Sequence, residues 1–164
     1  MSGIVAAAIA VIGTLLGVVT AHRYQEKTAA RSAARSDQER TYQRLLDACA
    51  DFIALAEEYR RAQYDRWTSR QAAPESEAAL TARAESYRLY VELRSSVLRL
   101  RLIALGPQAQ RLAAWAAEIQ VETRAVFFAT DRADMLARGE VVEQACEAFA
   151  AYAGEVLAAS DGRT

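Results

Sequence analysis

Residues 2–21 read SGIVAAAIAVIGTLLGVVTA, an uncharged run that ends abruptly at His22-Arg23. Twenty helical residues at about 1.5 Å each span roughly 30 Å, the thickness of a bilayer's hydrocarbon core, so the run reads as one transmembrane helix. Arg23, Lys27, Arg31 and Arg35 follow it, whereas Met1-Ser2-Gly3 carries no basic side chain. Lysine and arginine collect on cytoplasmic flanks. The expected topology is therefore a single pass of the cell membrane, N-terminus outside and the C-terminal part in the cytoplasm. Val19-Thr20-Ala21 has the small-residue look of a signal-peptide cleavage site, but no basic n-region precedes the run, which favours a retained anchor.

Within the anchor, small residues recur at Ala6, Ala10, Gly13 and Gly17, the last two forming a G-x-x-x-G. Lipid gives no hydrophobic force between helices, so a groove of small residues that lets two backbones approach is the expected helix contact. That spacing points to self-association or to a membrane-protein partner.

Beyond the anchor the helical signal is nearly continuous. From His22 to about Arg70 there is no Pro or Gly, and the anchor is expected to run on as one long helix. Residues 22–41 are almost free of large apolar side chains and read as a basic, solvated stalk. From residue 42, Tyr42, Leu45, Leu46, Cys49, Phe52, Ile53, Ala56 and Tyr59 recur at 3-4 spacing and mark a core-facing side. Pro74 ends this helix and Ser76 caps the next, whose expected inner side is Leu80, Ala84, Tyr87, Val91, Leu98, Leu102 and Leu105. Gly106-Pro107 separates it from a third helix with Leu112, Ala116, Ile119, Thr123, Val126 and Phe127, expected to continue toward Met135-Leu136. Gly139 reads as its C-cap, before a fourth helix carrying Val142, Ala145, Cys146, Phe149, Tyr152, Ala153, Val156 and Leu157. The expected fold is all-α: an anchor (2–21), a stalk (22–41), an antiparallel up-down bundle of four helices (42–160) and a disordered tail (161–164).

Composition narrows the chemistry. A formal net charge of -1 argues against a dedicated nucleic-acid binder, so an electrostatic partner must be sought in local patches. His22 is the single histidine and Cys49 and Cys146 lie far apart, which leaves no zinc set, no Ser-His or Cys-His pair and no di-iron motif. No Gly-rich phosphate loop is present. Neither a cofactor nor a catalytic residue is expected. Arg23, Lys27, Arg31 and Arg35, four residues apart, form a stripe that either holds anionic lipid headgroups or only sets topology. Arg94, Arg99, Arg101 and Arg111 should lie at the membrane-proximal end of the bundle if helix two runs antiparallel to helix one. The segment from Tyr59 to Trp67 mixes aromatic and basic residues, but its spacing continues the core stripe. Glu57-Glu58 and Asp131-Arg132-Ala133-Asp134 read as solvated helix charges.

The run Gly13-Thr14-Leu15-Leu16-Gly17-Val18-Val19-Thr20, followed by the Arg/Gln/Glu-rich stalk through Arg40, resembles short actinobacterial membrane proteins that include the KilB type of conjugative plasmids. The likeness covers anchor and stalk in sequence and the remainder in architecture. It implies a non-enzymatic, membrane-anchored bundle that works by self-association or partner binding at the cytoplasmic face, in plasmid transfer or spread. The alternative is a membrane-active effector or toxin component. The topology is checked by fusing reporters to the C-terminus: a green fluorescent protein should fluoresce and an alkaline phosphatase should stay inactive, whereas active phosphatase would reverse the assignment.

Overall fold

In a computed structural model of the chain the backbone is described for residues 2–161 and the side chains for residues 36–159. The elements are α1 (Ser2–Ala72), α2 (Glu77–Ile103), α3 (Pro107–Ala125), a 3-10 turn (Val126–Phe128) and α4 (Arg132–Asp161), with no strand among the described residues. Backbone contacts divide the chain into Met1–Thr41 and Tyr42–Thr164. In the first unit the backbone is helical from residue 2 onward. Ala6, Ala10, Gly13, Gly17, Arg23, Lys27, Arg31 and Arg35 lie outside the described side chains, as does the tail beyond Asp161 outside the described backbone. Among the described residues no helix is long and apolar enough to cross a membrane.

The second unit is the bundle, and local chemistry sets its helix ends. Ala73-Pro74 closes α1, and the Ser76 Oγ accepts a hydrogen bond from the Ala79 N–H (3.2 Å) to start α2. Gly106 sits at φ +85, a conformation that L side chains rarely adopt, and Pro107 opens α3 with its preset φ. The expected join between the third and fourth helices is corrected. The helix ends at Ala125, the chain turns through Val126–Phe128, and Asp131 caps α4 by accepting from the Asp134 N–H (2.9 Å). The Asp134 carboxylate in turn accepts from the Thr130 N–H (2.9 Å). Gly139 is therefore not a cap but a residue inside α4. A Cβ there would stand 1.4 Å from the Tyr64 Oη, so the glycine gives α1 room for a tyrosine.

Cross-helix pairs define the topology. Partner numbers fall as α1 advances, both toward α2 (Asp51 with Arg99, Tyr59 with Tyr90, Gln63 with Ser86) and toward α4 (Phe52 with Phe149, Arg60 with Glu143, Tyr64 with Gly139). Trp115 of α3 packs on Tyr152, and further along Arg138 of α4 reaches the Ala125 carbonyl. The helices run up, down, up and down. Arg94, Arg99, Arg101 and Arg111 thus share the end of the bundle at which Tyr42 stands.

The core is continuous from Leu45 to Leu157. Phe52, Ala56, Leu93, Leu112, Ala116, Val126, Val142 and Phe149 are fully buried. Phe52 and Phe149 lie 5.0 Å apart between ring centroids, with Trp115 at 6.1 Å from Phe149. The buried Trp67 donates its indole N–H to the Ala129 carbonyl (3.0 Å), tying the end of α1 to the turn before α4. Cys49 and Cys146 are buried thiols, and burial pushes each up to about 11. The inner sides expected for α1, α3 and α4 are buried except at Leu46, which is exposed, and at Tyr42, Ile53, Phe127, Ala145 and Tyr152, which are half-buried. For α2 the expected side is the outer one: Leu98 is 47% exposed and Leu102 84%, while Ala79, Ser86, Leu89, Leu93, Ser96, Val97 and Leu100 face the core.

Two outcomes follow. Leu93→Asp should abolish the cooperative helical melt because it strands a charge at a fully buried site, whereas Leu98→Asp, at a half-exposed site, should keep a cooperative helical melt, both read by circular dichroism. The thiols should resist alkylation at pH 8 until denaturant is added. Their raised folded-state values mean that their stability contribution is intact below about 9 and is lost as pH rises toward about 11.

Candidate interaction surface

Helix α2 carries two apolar lines. Its core line runs through Ala79, Ser86, Leu89, Leu93, Ser96, Val97 and Leu100. A turn of about 100° per residue places a second line, Leu80, Ala84, Tyr87, Val91, Leu98 and Leu102, on the opposite side of the helix, with Leu105 following just past its end at Ile103. Six of these are large and exposed: Leu80, Tyr87, Val91, Leu98, Leu102 and Leu105. Scattered exposed leucines need no explanation, but an apolar row of this length along one helix is a candidate interaction surface.

The two flanks of the row differ in charge. Toward α3, the line that contains Tyr90 also carries Arg83, Arg94 and Arg101 at helical spacing, and Arg124 of α3 lies 5.9 Å over the Tyr90 ring. At the far end of the bundle Arg66 stacks 3.8 Å over Phe127 and 5.4 Å from Tyr87, with Arg70 also over Phe127. Among the described residues none of these six arginines has a carboxylate partner; the ion pairs use Arg40, Arg60, Arg88, Arg99 and Arg138. Hydrogen bonding and charge from Arg83, with the charge of Arg66, draw the exposed Tyr87 hydroxyl below the usual phenol range.

Toward α1 the flank is acidic. One groove of about 410 Å³ is lined by Asp51, Glu58, Val91, Glu92 and Arg99, and a second of about 530 Å³ by Asp65, Glu77 and Glu85. Arg88 is held between Glu85 and Glu92, and Arg99 by Asp51. The near-zero net charge conceals a bundle with one basic and one acidic side.

The titratable groups elsewhere do structural work. Arg60 is largely buried, pairs with Glu57 (2.6 Å) and Glu143 (3.4 Å) and donates to the Tyr64 hydroxyl (3.2 Å). Asp131 and Asp134, expected as solvated charges, cap α4. Gln63 is fully buried, and its Oε1 accepts from the Ser86 hydroxyl (3.1 Å). Burial raises Tyr59 to about 12, against the opposing charges of Arg124 and Arg66. No group of three or more His, Cys, Asp or Glu among the described residues could hold a metal ion.

The family described as KilB plasmid transfer protein matches residues 46–157, more than half of the chain. The matched stretch is the bundle, from the core-facing part of α1 to the end of the α4 core. The likeness was expected on the anchor and stalk; the match lies beyond them. No curated protein and no solved structure gives a significant match.

Proposed function

The chain belongs to the KilB plasmid transfer protein family, and from that premise we propose that it serves plasmid transfer as a membrane-anchored helical bundle, assembling at the cytoplasmic face without chemistry of its own. One observation carries this reading beyond the family: of the eleven exposed large apolar side chains among the described residues, six line up along α2 and its end, whereas the other five, Leu46, Val121, Phe128, Leu136 and Val141, are scattered over α1, α3, the 3-10 turn and α4. A scaffold needs such a surface, and a solitary bundle would be more soluble without it. The charge segregation beside the row supplies orientation for a partner.

In this reading residues 2–21 hold the bundle at the membrane, and Gly13 and Gly17 let anchors pack against one another. The basic stripe Arg23, Lys27, Arg31 and Arg35 fixes the topology and meets anionic headgroups at its membrane end, where each charge contributes about 1 kcal/mol. No step requires a cofactor or a nucleophile. Mating assays test the proposal. Removing residues 2–21 should lower transfer or spread at least tenfold, and Gly13→Ile with Gly17→Ile should lower it while leaving the protein in the membrane fraction. Unchanged transfer in both variants would overturn membrane assembly as the mode of action. A growth defect on expression that the glycine substitutions relieve, with transfer unaffected, would point to a membrane-active effector instead.

A further inference from the structure

The outer row of α2 and its two unlike flanks together specify a partner. We propose that α2 pairs with α2 of a second copy in a parallel, two-fold dimer, with the row Leu80, Tyr87, Val91, Leu98 and Leu102 as its seam and Leu105 just past the helix end. This rests on the reading that the protein works by assembly and names the surface and the partner. A two-fold axis along the helices brings each side chain of the row beside its own counterpart, so an all-apolar line meets an all-apolar line.

Charge decides the direction. In a parallel pair the α3-side flank of one copy lies against the α1-side flank of the other. Arg83, Arg94 and Arg101, which have no carboxylate partner among the described residues, then face a flank on which six carboxylates, Asp51, Glu58, Asp65, Glu77, Glu85 and Glu92, surround only two arginines, Arg88 held by Glu85 and Glu92 and Arg99 held by Asp51, so that the flank stays net acidic. The two-fold axis repeats this match on both sides of the seam. An antiparallel pair would set arginine flank against arginine flank and acid against acid, which is disfavoured in a partly desolvated contact. Copies inserted in one membrane with the same topology also share a direction.

Full-length protein purified in detergent should sediment at twice the chain mass after correction for bound detergent. Val91→Glu with Leu98→Glu, both at exposed positions, should sediment as a monomer with the helical circular dichroism signal unchanged. Direction is read by disulfide crosslinking in membranes, on a Cys49→Ala, Cys146→Ala background. Leu80→Cys should crosslink to itself, Leu105→Cys should do the same, and a mixture of the two should give no mixed dimer. Arg94→Glu with Arg101→Glu should loosen the dimer at least tenfold, and adding Glu85→Arg with Glu92→Arg should restore it. A dimer that survives Val91→Glu with Leu98→Glu overturns the seam while the assembly reading stands. Mixed 80–105 crosslinks in place of self-crosslinks overturn the parallel arrangement. A wild type that is monomeric in detergent and uncrosslinked in membranes overturns the proposal outright. In that case loss of plasmid transfer in the Val91→Glu, Leu98→Glu variant would keep the assembly reading with a different partner, and normal transfer would end both.

Discussion

Gln63 is fully buried on α1, and a buried amide without a hydrogen-bond partner costs on the order of 1–3 kcal/mol. The Ser86 hydroxyl donates to its carbonyl oxygen at 3.1 Å, a contact that requires α2 in this rotation, while the Gln63 Nε2 and the Ser96 hydroxyl on the same core line have no hydrogen-bond partner among the described residues. With Ser86 turned inward, Leu89, Leu93, Val97 and Leu100 follow it into the core at helical spacing. The opposite line, richer in exposed leucine, is turned out to solvent. Trp67 does the same for the end of α1, because its indole N–H reaches the Ala129 carbonyl only in one rotation. A few buried polar contacts thus choose among packings that apolar area alone would leave nearly equal.

That choice explains which parts of the fold were legible in the sequence. Along α1, α3 and α4 one side is apolar and the others polar, so periodicity identifies Phe52, Leu112, Val142 and Phe149 as core residues directly. Helix α2 offers two apolar lines, and the line with more large side chains is the wrong one, since the true core line includes Ala79, Ser86 and Ser96. Hydropathy counts a serine against burial and cannot register that a buried glutamine on another helix needs it. Gly139 misled for a related reason: glycine often ends helices, but here its missing Cβ makes room for Tyr64. The signal for the true break, Thr130-Asp131 followed by Asp134, was present as a capping pattern. The residues read as a membrane site lie in 2–35, outside the described side chains, whereas the α2 row was legible as a list of residues and misplaced only in direction.

The same two-sidedness connects fold to function. A bundle of this size gains little from a leucine left in water, and Leu102 and Leu105 are among its most exposed large side chains. Their placement opposite the core line means that they could be covered without disturbing the bundle's interior. Several arginines along the row's α3-side flank are held against rings and not in ion pairs: Arg66 and Arg70 on Phe127, Arg83 on Tyr87 and Arg124 on Tyr90. Arginine over an aromatic face retains its charge for an outside partner while its stem packs locally.

Membrane attachment, in the proposed function, alters what such a row must achieve. Two free proteins lose translational and rotational freedom when they associate, a cost of at least about 4 kcal/mol that interface contacts have to exceed. Chains tethered to one bilayer have already given up much of that freedom and meet at a high effective concentration. In that proposal the apolar row and its matched flanks have less of this cost to overcome. Anchor and bundle become interdependent: the anchor supplies proximity and direction, and the α2 row supplies selectivity. A single long helix, Ser2–Ala72, encodes the sequence of both the apolar run and the spine on which Gln63 orients α2.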